Sequence, residues 1–356
     1  MRAACHVKFG GNQPRQPVET VYVSALELQP VVDDESARWW HRVDEATRPA
    51  DHPADPIGEV LPRVHAPSAT GEKTELWVGM LEGQPVVAGD LTLPVLDNAA
   101  NATIDVRVVE DQRRQGHGST MLGHLVDRAR DASRRRLFGE VEEPLDGSAE
   151  PAGVSFVRSL GARPVLTDIR RLLDLSQVDD EQLASLTDDA WQHADGYSLM
   201  QWIDRAPEEI VDDLAELMGR MSVDVPLEEM EWGAEQYDAA RVRAREDTIL
   251  AMGRRRVLTA ARHDASGRLV GYTDIGVNAA RPRVAYQWDT IVRSDHRGHR
   301  LGWLIKAANL RLLRETTPGA EIVNTWNAEV NLHMIAINEA LGFRAVQRER
   351  QWELLI

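Results

Sequence analysis

The chain has 356 residues, 43% hydrophobic and 28% charged, with 57 acidic against 41 basic side chains and a formal net charge of −16. That composition is ordinary for globular domains and the length suggests two of them, while the negative excess excludes nucleic acid and anionic membrane surfaces as partners and reads as a solubility device. A lone cysteine, Cys5, excludes an intrachain disulfide and a cysteine metal site; with no apolar run of membrane-spanning length and no signal-like stretch in residues 1–18, a flexible polar leader and a cytoplasmic location are expected.

Thr20–Leu28 alternates as a strand, and Asp33 or Asp34 caps a helix running to Thr47. Residues 48–73 carry five prolines together with His52 and His65 and read as a loop or mobile lid. The spacing of the two histidines matches no metal-ligand pattern. Strands follow at Glu75–Leu81, Pro85–Leu93 and Thr103–Val109, the first two joined by a hairpin turn at Glu82-Gly83. A helix over Gly116–Arg134, a strand over Arg136–Val141, a helix ending at Leu160-Gly161 and a strand over Arg163–Leu175 complete the first half.

Ser176–Asp195 is polar and acidic and reads as a connection. A strand at Tyr197–Trp202 follows, then helices at Pro207–Met221 and Met230–Met252. Strands come next at Arg256–Arg262, Leu269–Val277 and Val284–Val292. Helix 301–315, strand Glu321–Trp326, helix Asn331–Leu341 and strand Phe343–Leu354 close the chain. The division expected is a leader at 1–18, a first domain at 19–177, a connection at 178–195 and a second domain at 196–356.

The halves repeat one order of elements, which points to internal duplication. Val106-Arg107-Val108, Arg113, Gly116 and Gly118 answer to Thr290-Ile291-Val292, Arg297, Arg300 and Gly302. Arg113 precedes Gly161 by 48 residues, and Arg297 precedes Gly342 by 45.

A strand, an Arg/Gly-rich turn and a helix make an anion site, because the first amides of the helix are unpaired and its dipole adds positive potential. Arg297-Gly298-His299-Arg300-Leu301-Gly302 suits a diphosphate, with glycine where the backbone must approach closely. Asp289, three residues before Val292, reads by itself as a strand-end carboxylate bonded to backbone. Trp39, Trp40, Trp202, Trp232, Trp288 and Trp303 read first as packing residues, some of them free to line an acceptor pocket.

These motifs resemble the GNAT acyltransferase superfamily, whose signature is Arg/Gln-x-x-Gly-x-Gly/Ala. Arg113–Gly118 fits it fully; Arg297–Gly302 fits except at Arg300. The tandem arrangement is similar to mycothiol synthase and related actinobacterial two-domain acetyltransferases. The resemblance implies two mixed, largely antiparallel α/β folds and acetyl-CoA as acyl donor, with no metal. It implies a strand at Thr290, Ile291 and Val292 that pairs with pantetheine, and amides of residues 298–302 that hold the pyrophosphate. Asn327 and Asn331 would contact CoA, Arg113, Gly116 and Gly118 would form a second cradle, and Asp289, or as a second candidate Asp274, would be the base that takes the amine proton. Asn338 stands where the family often has a tyrosine acid, and an amide cannot supply a proton.

In the first half the positions of Asn331 and Asn338 are Glu150 and Val157, so cofactor and chemistry are expected in the second. The expected activity is direct acetyl transfer to the primary amine of a small molecule, by a monomer or homodimer. Protein or peptide acetylation and a non-catalytic CoA sensor are the alternatives.

Overall fold

A computed structural model describes residues 26–148 and 150–356. Cys5, the expected leader and the first residues of the expected opening strand lie outside them. Twelve strands form one continuous sheet in the order β1-β2-β3-β4-β5-β12-β6-β11-β10-β9-β8-β7.

The first half contributes β1 (Glu27–Pro30), α1 (Asp34–Thr47), α2 (Val60–Val64), β2 (Glu72–Leu81), β3 (Gln84–Pro94), β4 (Asn101–Val108), α3 (His117–Asp131), β5 (Arg136–Glu143), α4 (Ala152–Ser159) and β6 (Arg163–Asp174). Asp33 caps α1 by accepting from the Ser36 amide at 2.9 Å, which satisfies an otherwise orphaned donor. Glu82 and Gly83 both have positive φ, as the tight hairpin between β2 and β3 demands.

The second half contributes α5 (Asp180–Trp191), β7 (Tyr197–Ile203), α6 (Val211–Asp224), α7 (Ala239–Ala251), β8 (Arg254–His263), β9 (Leu269–Asn278), β10 (Val284–Val292), α8 (Leu301–Thr316), β11 (Ile322–Ala328), α9 (Leu332–Ala340) and β12 (Arg344–Leu355). Every residue of β9 is buried, so both faces of this strand are covered.

Three segments differ from expectation. The stretch read as a connection holds α5, whose Leu183 and Ala190 are buried against the second half's core. The helix expected from Met230 begins only at Ala239, where Asp238 caps it by accepting from the Arg241 amide at 2.8 Å. Residues 48–73 are no free lid: Arg254 pairs with Asp55 and Glu59, each at 2.7 Å, and His41 bonds the Asp55 carbonyl at 2.8 Å.

The last strand of each half sits in the other half's sheet. β12 pairs antiparallel with β5 along Arg348–Leu355 and with β6 on its other side, and β6 pairs with β11. Glu353 of β12, 2% exposed, draws in Arg163 of the first half at 2.7 Å and Arg136 at 3.2 Å. Neither half can complete its sheet alone, because a missing partner strand leaves ladder donors and acceptors unpaired. Residues 26–177 and 178–356 expressed separately should therefore give insoluble or molten chains, and co-expression should restore a folded complex. Amide hydrogen exchange reads the outcome, and native-like protection in either fragment alone would contradict the exchange.

Candidate active site

Each half contains a pair of parallel strands that part. β4 and β5 pair only from Asn101–Thr103 to Arg136–Phe138, and β10 and β11 only from Val284–Tyr286 to Ile322–Asn324. Beyond those points the strands diverge and leave a wedge. An Arg/Gly turn follows β4 and β10 and opens α3 and α8.

The two turns share a backbone but distribute glycine differently. Arg114 and Gly116 have φ of 65° and 90°, and Gly298 and Arg300 have 89° and 52°. Arg113 Nε donates to the Val108 carbonyl at 3.0 Å, and Arg297 Nε to the Val292 carbonyl at 3.3 Å. Arg300 thus adopts a left-handed conformation that glycine would adopt at lower cost.

Their surroundings diverge. In the first half Arg113, Gly116 and Gly118 open onto a cleft of about 700 Å³ that runs between β4 and β5 to Glu140. In the second half Val292, Arg297, Gly298, Arg300, Leu301 and Gly302 line a smaller cavity of about 380 Å³. There α5 leans on the turn: Arg300 pairs with Asp189, and His299 bonds the His193 carbonyl at 3.2 Å. The roomier cleft therefore belongs to the half expected to be the lesser one. Ile291 is 4% exposed and packs in the core with Tyr272.

Two expected cofactor contacts are engaged within the fold. The Asn331 side chain accepts from the Met334 amide at 3.2 Å and caps α9. Asn327 Oδ1 accepts from Asn338 Nδ2 at 2.5 Å, which ties β11 to α9 across the second wedge. Of the neighbouring pair, His333 lines the turn cavity and Met334 packs on the core.

Asp289 sits at a β-bulge. The register of β10 against β9 shifts between Gln287 and Thr290, whereas β4 pairs with β3 without interruption. Bulges re-aim side chains next to active sites. The Asp289 amide donates to Asp274 Oδ1 at 3.0 Å, and its carboxylate accepts from the buried Tyr272 hydroxyl at 2.5 Å. Asp274 is 1% exposed and paired with Arg256 at 2.6 Å, so it is a structural ion pair and not a free base. Asp105, the counterpart of Asp289, lies 2.7 Å from Arg107 and 3.6 Å from Arg48. Those guanidiniums, outweighing its burial, hold its carboxyl below the usual range.

Asp289 faces a further cavity of about 430 Å³ at the junction of the halves. Tyr286, Trp288 and Trp326 form one wall, with Tyr286 stacked on Trp288 at 5.7 Å and on Trp326 at 6.1 Å between ring centres. Trp288 is 47% exposed, so it and Trp326 are pocket residues rather than core. His52 closes the roof, and burial, aided by the Arg48 charge, pushes its imidazole down to about 4, so the ring is neutral.

The floor holds Glu140, Asp168 and Glu349. Burial, then repulsion by Glu140, pushes both Asp168 and Glu349 up to about 7. Composition and periodicity could not reveal this group, because its members are scattered over the chain and meet only through strand exchange.

No family profile and no curated protein matches the chain. Among solved structures it is similar to a tandem GNAT protein from the clavulanic acid biosynthesis pathway, described as without AcCoA. The two are 30% identical over 93% of this chain and 98% of that one, with a TM-score of 0.76. A GCN5-related N-acetyltransferase from Sphaerobacter thermophilus shares the fold at 14% identity, covering 93% of this chain and 95% of that one at a TM-score of 0.63. Fold and likeness define an acyltransferase of the GNAT class. More narrowly, the chain belongs to the tandem GNAT proteins, in which two such folds lie in one polypeptide.

The raised Asp168 carboxyl has a stability consequence. The folded chain holds this proton more tightly than the unfolded one, so the stabilisation is complete below the unfolded value of 3.8 and is lost as pH rises through about 7. Asp168→Asn should raise the melting temperature at pH 8.5 by about 2–4 °C. The gain should shrink towards zero at pH 4, and a gain independent of pH would contradict the assignment.

Proposed function

We propose that this protein is an acetyl-CoA-dependent N-acetyltransferase acting on a primary amine of a small molecule, with transfer at the wedge of β10 and β11. The observation that carries the reading is the bulge at Trp288-Asp289. It sets a carboxylate that forms no ion pair within 4 Å among the described residues at the parting of the strands, facing an aromatic pocket, whereas the first half's counterpart is neutralised by two arginines.

In this reading the turn at Arg297–Gly302 holds the donor's pyrophosphate, with Ile291 and Val292 along pantetheine. Asn327 and Asn331 flank the thioester end once the Asn327–Asn338 contact opens. Arg113, Gly116 and Gly118 give the first half a CoA-binding cleft without an available base. Asp289 accepts the amine proton, directly or through water. The amine nitrogen attacks the thioester carbonyl, a C–N bond forms, the C–S bond breaks, and the surplus proton left on nitrogen passes through water to the CoA thiolate. No covalent acyl-enzyme is required. A cavity of about 430 Å³, closed over by the fastened 48–59 segment, suits a small acceptor better than a polypeptide.

The test is thiol release from acetyl-CoA on a panel of amines, alongside a thermal shift with acetyl-CoA. Asp289→Asn should lower kcat by about 100-fold or more and leave acetyl-CoA affinity within about twofold. Full activity in Asp289→Asn would remove Asp289 as the base. Binding without release on any amine would favour a CoA sensor.

A further inference from the structure

Strand exchange aligns three carboxylates. Glu349 of β12 lies directly opposite Glu142 of β5 on one side and Asp168 of β6 on the other. Neighbouring strands are about 4.8 Å apart, and like charges directly opposite destabilise a sheet. Glu140, one pleat further along β5, adds a fourth acid and borders both the first half's cleft and the junction pocket.

Some charges nearby are already committed. Arg48 binds Asp44 and Asp105, and Arg254 binds Asp55 and Glu59 while lying over Trp288 at 5.7 Å. Arg170 donates to Asn324 and Gln347 at 2.9 Å and to Asp51 at 3.1 Å, and stands 4.0 Å from Glu349. Glu349 is 5% exposed, yet its Oε1 accepts no hydrogen bond among the described residues. Asp168 likewise has no hydrogen-bond donor among the described residues. The buried Glu349 oxygen, left in this state beside the half-buried Asp168, marks a place for something else.

The reacting amine is a poor candidate for that place. It must lose its proton before attack, and a nest of carboxylates holds an ammonium charged. The nest suits a cation that stays charged while a second nitrogen reacts at Asp289, in the same cavity. We propose that the acceptor is a diamine, or an amine that also bears a guanidinium, and that its non-reacting cation seats on Asp168 and Glu349 beside Glu140. The aromatic wall of Tyr286, Trp288 and Trp326 then carries the linking carbons and adds cation–π attraction. The inference rests on acyl transfer to an amine at Asp289.

The experiment compares 1,5-diaminopentane, pentylamine and 5-aminopentanoate as acceptors, and measures calorimetric binding of 1,5-diaminopentane without acyl donor. The diamine should exceed pentylamine in kcat/KM by about tenfold or more, as expected for charge-assisted hydrogen bonds, and the anionic analogue should be the poorest. Asp168→Asn and Glu349→Gln should each bring the diamine-to-pentylamine ratio close to one and weaken calorimetric binding of the diamine. Equal use of pentylamine, or a ratio unmoved in both variants, overturns the anchor, while Asp289-dependent thiol release would still support acyl transfer. Saturable diamine binding that both variants abolish, without thiol release on any amine, would keep the anchor and overturn the transfer reading. His52, Glu142 and Glu349 offer ligand atoms within 4.8 Å of one another. Turnover that requires added Zn²⁺, with zinc binding lost in Glu349→Gln, would overturn the anchor in favour of a metal.

Discussion

Exchange of the closing strands governs this molecule. Each half takes from the other the strand that flanks its parting pair: β12 stands beside β5, and β6 beside β11. The exchange joins two half-sheets into one and sets the two wedges on either side of a shared junction. It also creates the junction's chemistry. Glu142, Glu349 and Asp168 lie on three adjacent strands only because β12 is inserted between β5 and β6. A sheet assembled for stability alone would not place three acids in a row, so their position reads as a cost borne for the pocket above them.

Duplication supplied two anion cradles of one backbone shape, and side chains have since drawn them apart. The first keeps glycine at the helix entry and opens on the larger cleft, but its carboxylate is held by Arg48 and Arg107. The second has Arg300 at the helix entry, tied to Asp189 of α5, and a tighter cavity; it also has the bulge and a carboxylate that forms no ion pair among the described residues. Space for a donor and equipment for transfer are thus unequally shared. The open first cleft reaches Glu140, which also lines the junction pocket, and both halves contribute walls to that pocket.

Much of this was legible in the sequence wherever the signal is local. The Arg/Gly turns, the strands before them and the repeated spacing to Leu-Gly carried the fold and the duplication, because a turn's φ demands and a helix's first amides are properties of a few consecutive residues. The place of Asp289 three residues before Val292 was visible too, but the bulge beside the junction pocket was not. Strand exchange left no mark, since β6 and β12 have the same alternation whichever neighbour they pair with. The helix expected from Met230 failed because residues 230–238 instead follow an irregular path, in which Trp232 packs edge-on against Phe138 at 5.8 Å between ring centres. The Asp238 cap was the available cue. The cap made by Asn331 was not foreseen: its spacing pointed to a cofactor contact, and the same side chain also starts α9 by accepting from the Met334 amide.

The central claim is that acyl transfer takes place at the β10–β11 wedge, into the junction pocket. Its most direct test is a crystal structure with a bisubstrate adduct, in which the CoA sulfur is joined through an acetyl bridge to one nitrogen of 1,5-diaminopentane. The account predicts density from the Arg297–Gly302 turn, between β10 and β11, to a free ammonium seated at Asp168 and Glu349. An adduct confined to the first half's cleft, with its amine pointing away from the junction pocket, would contradict it.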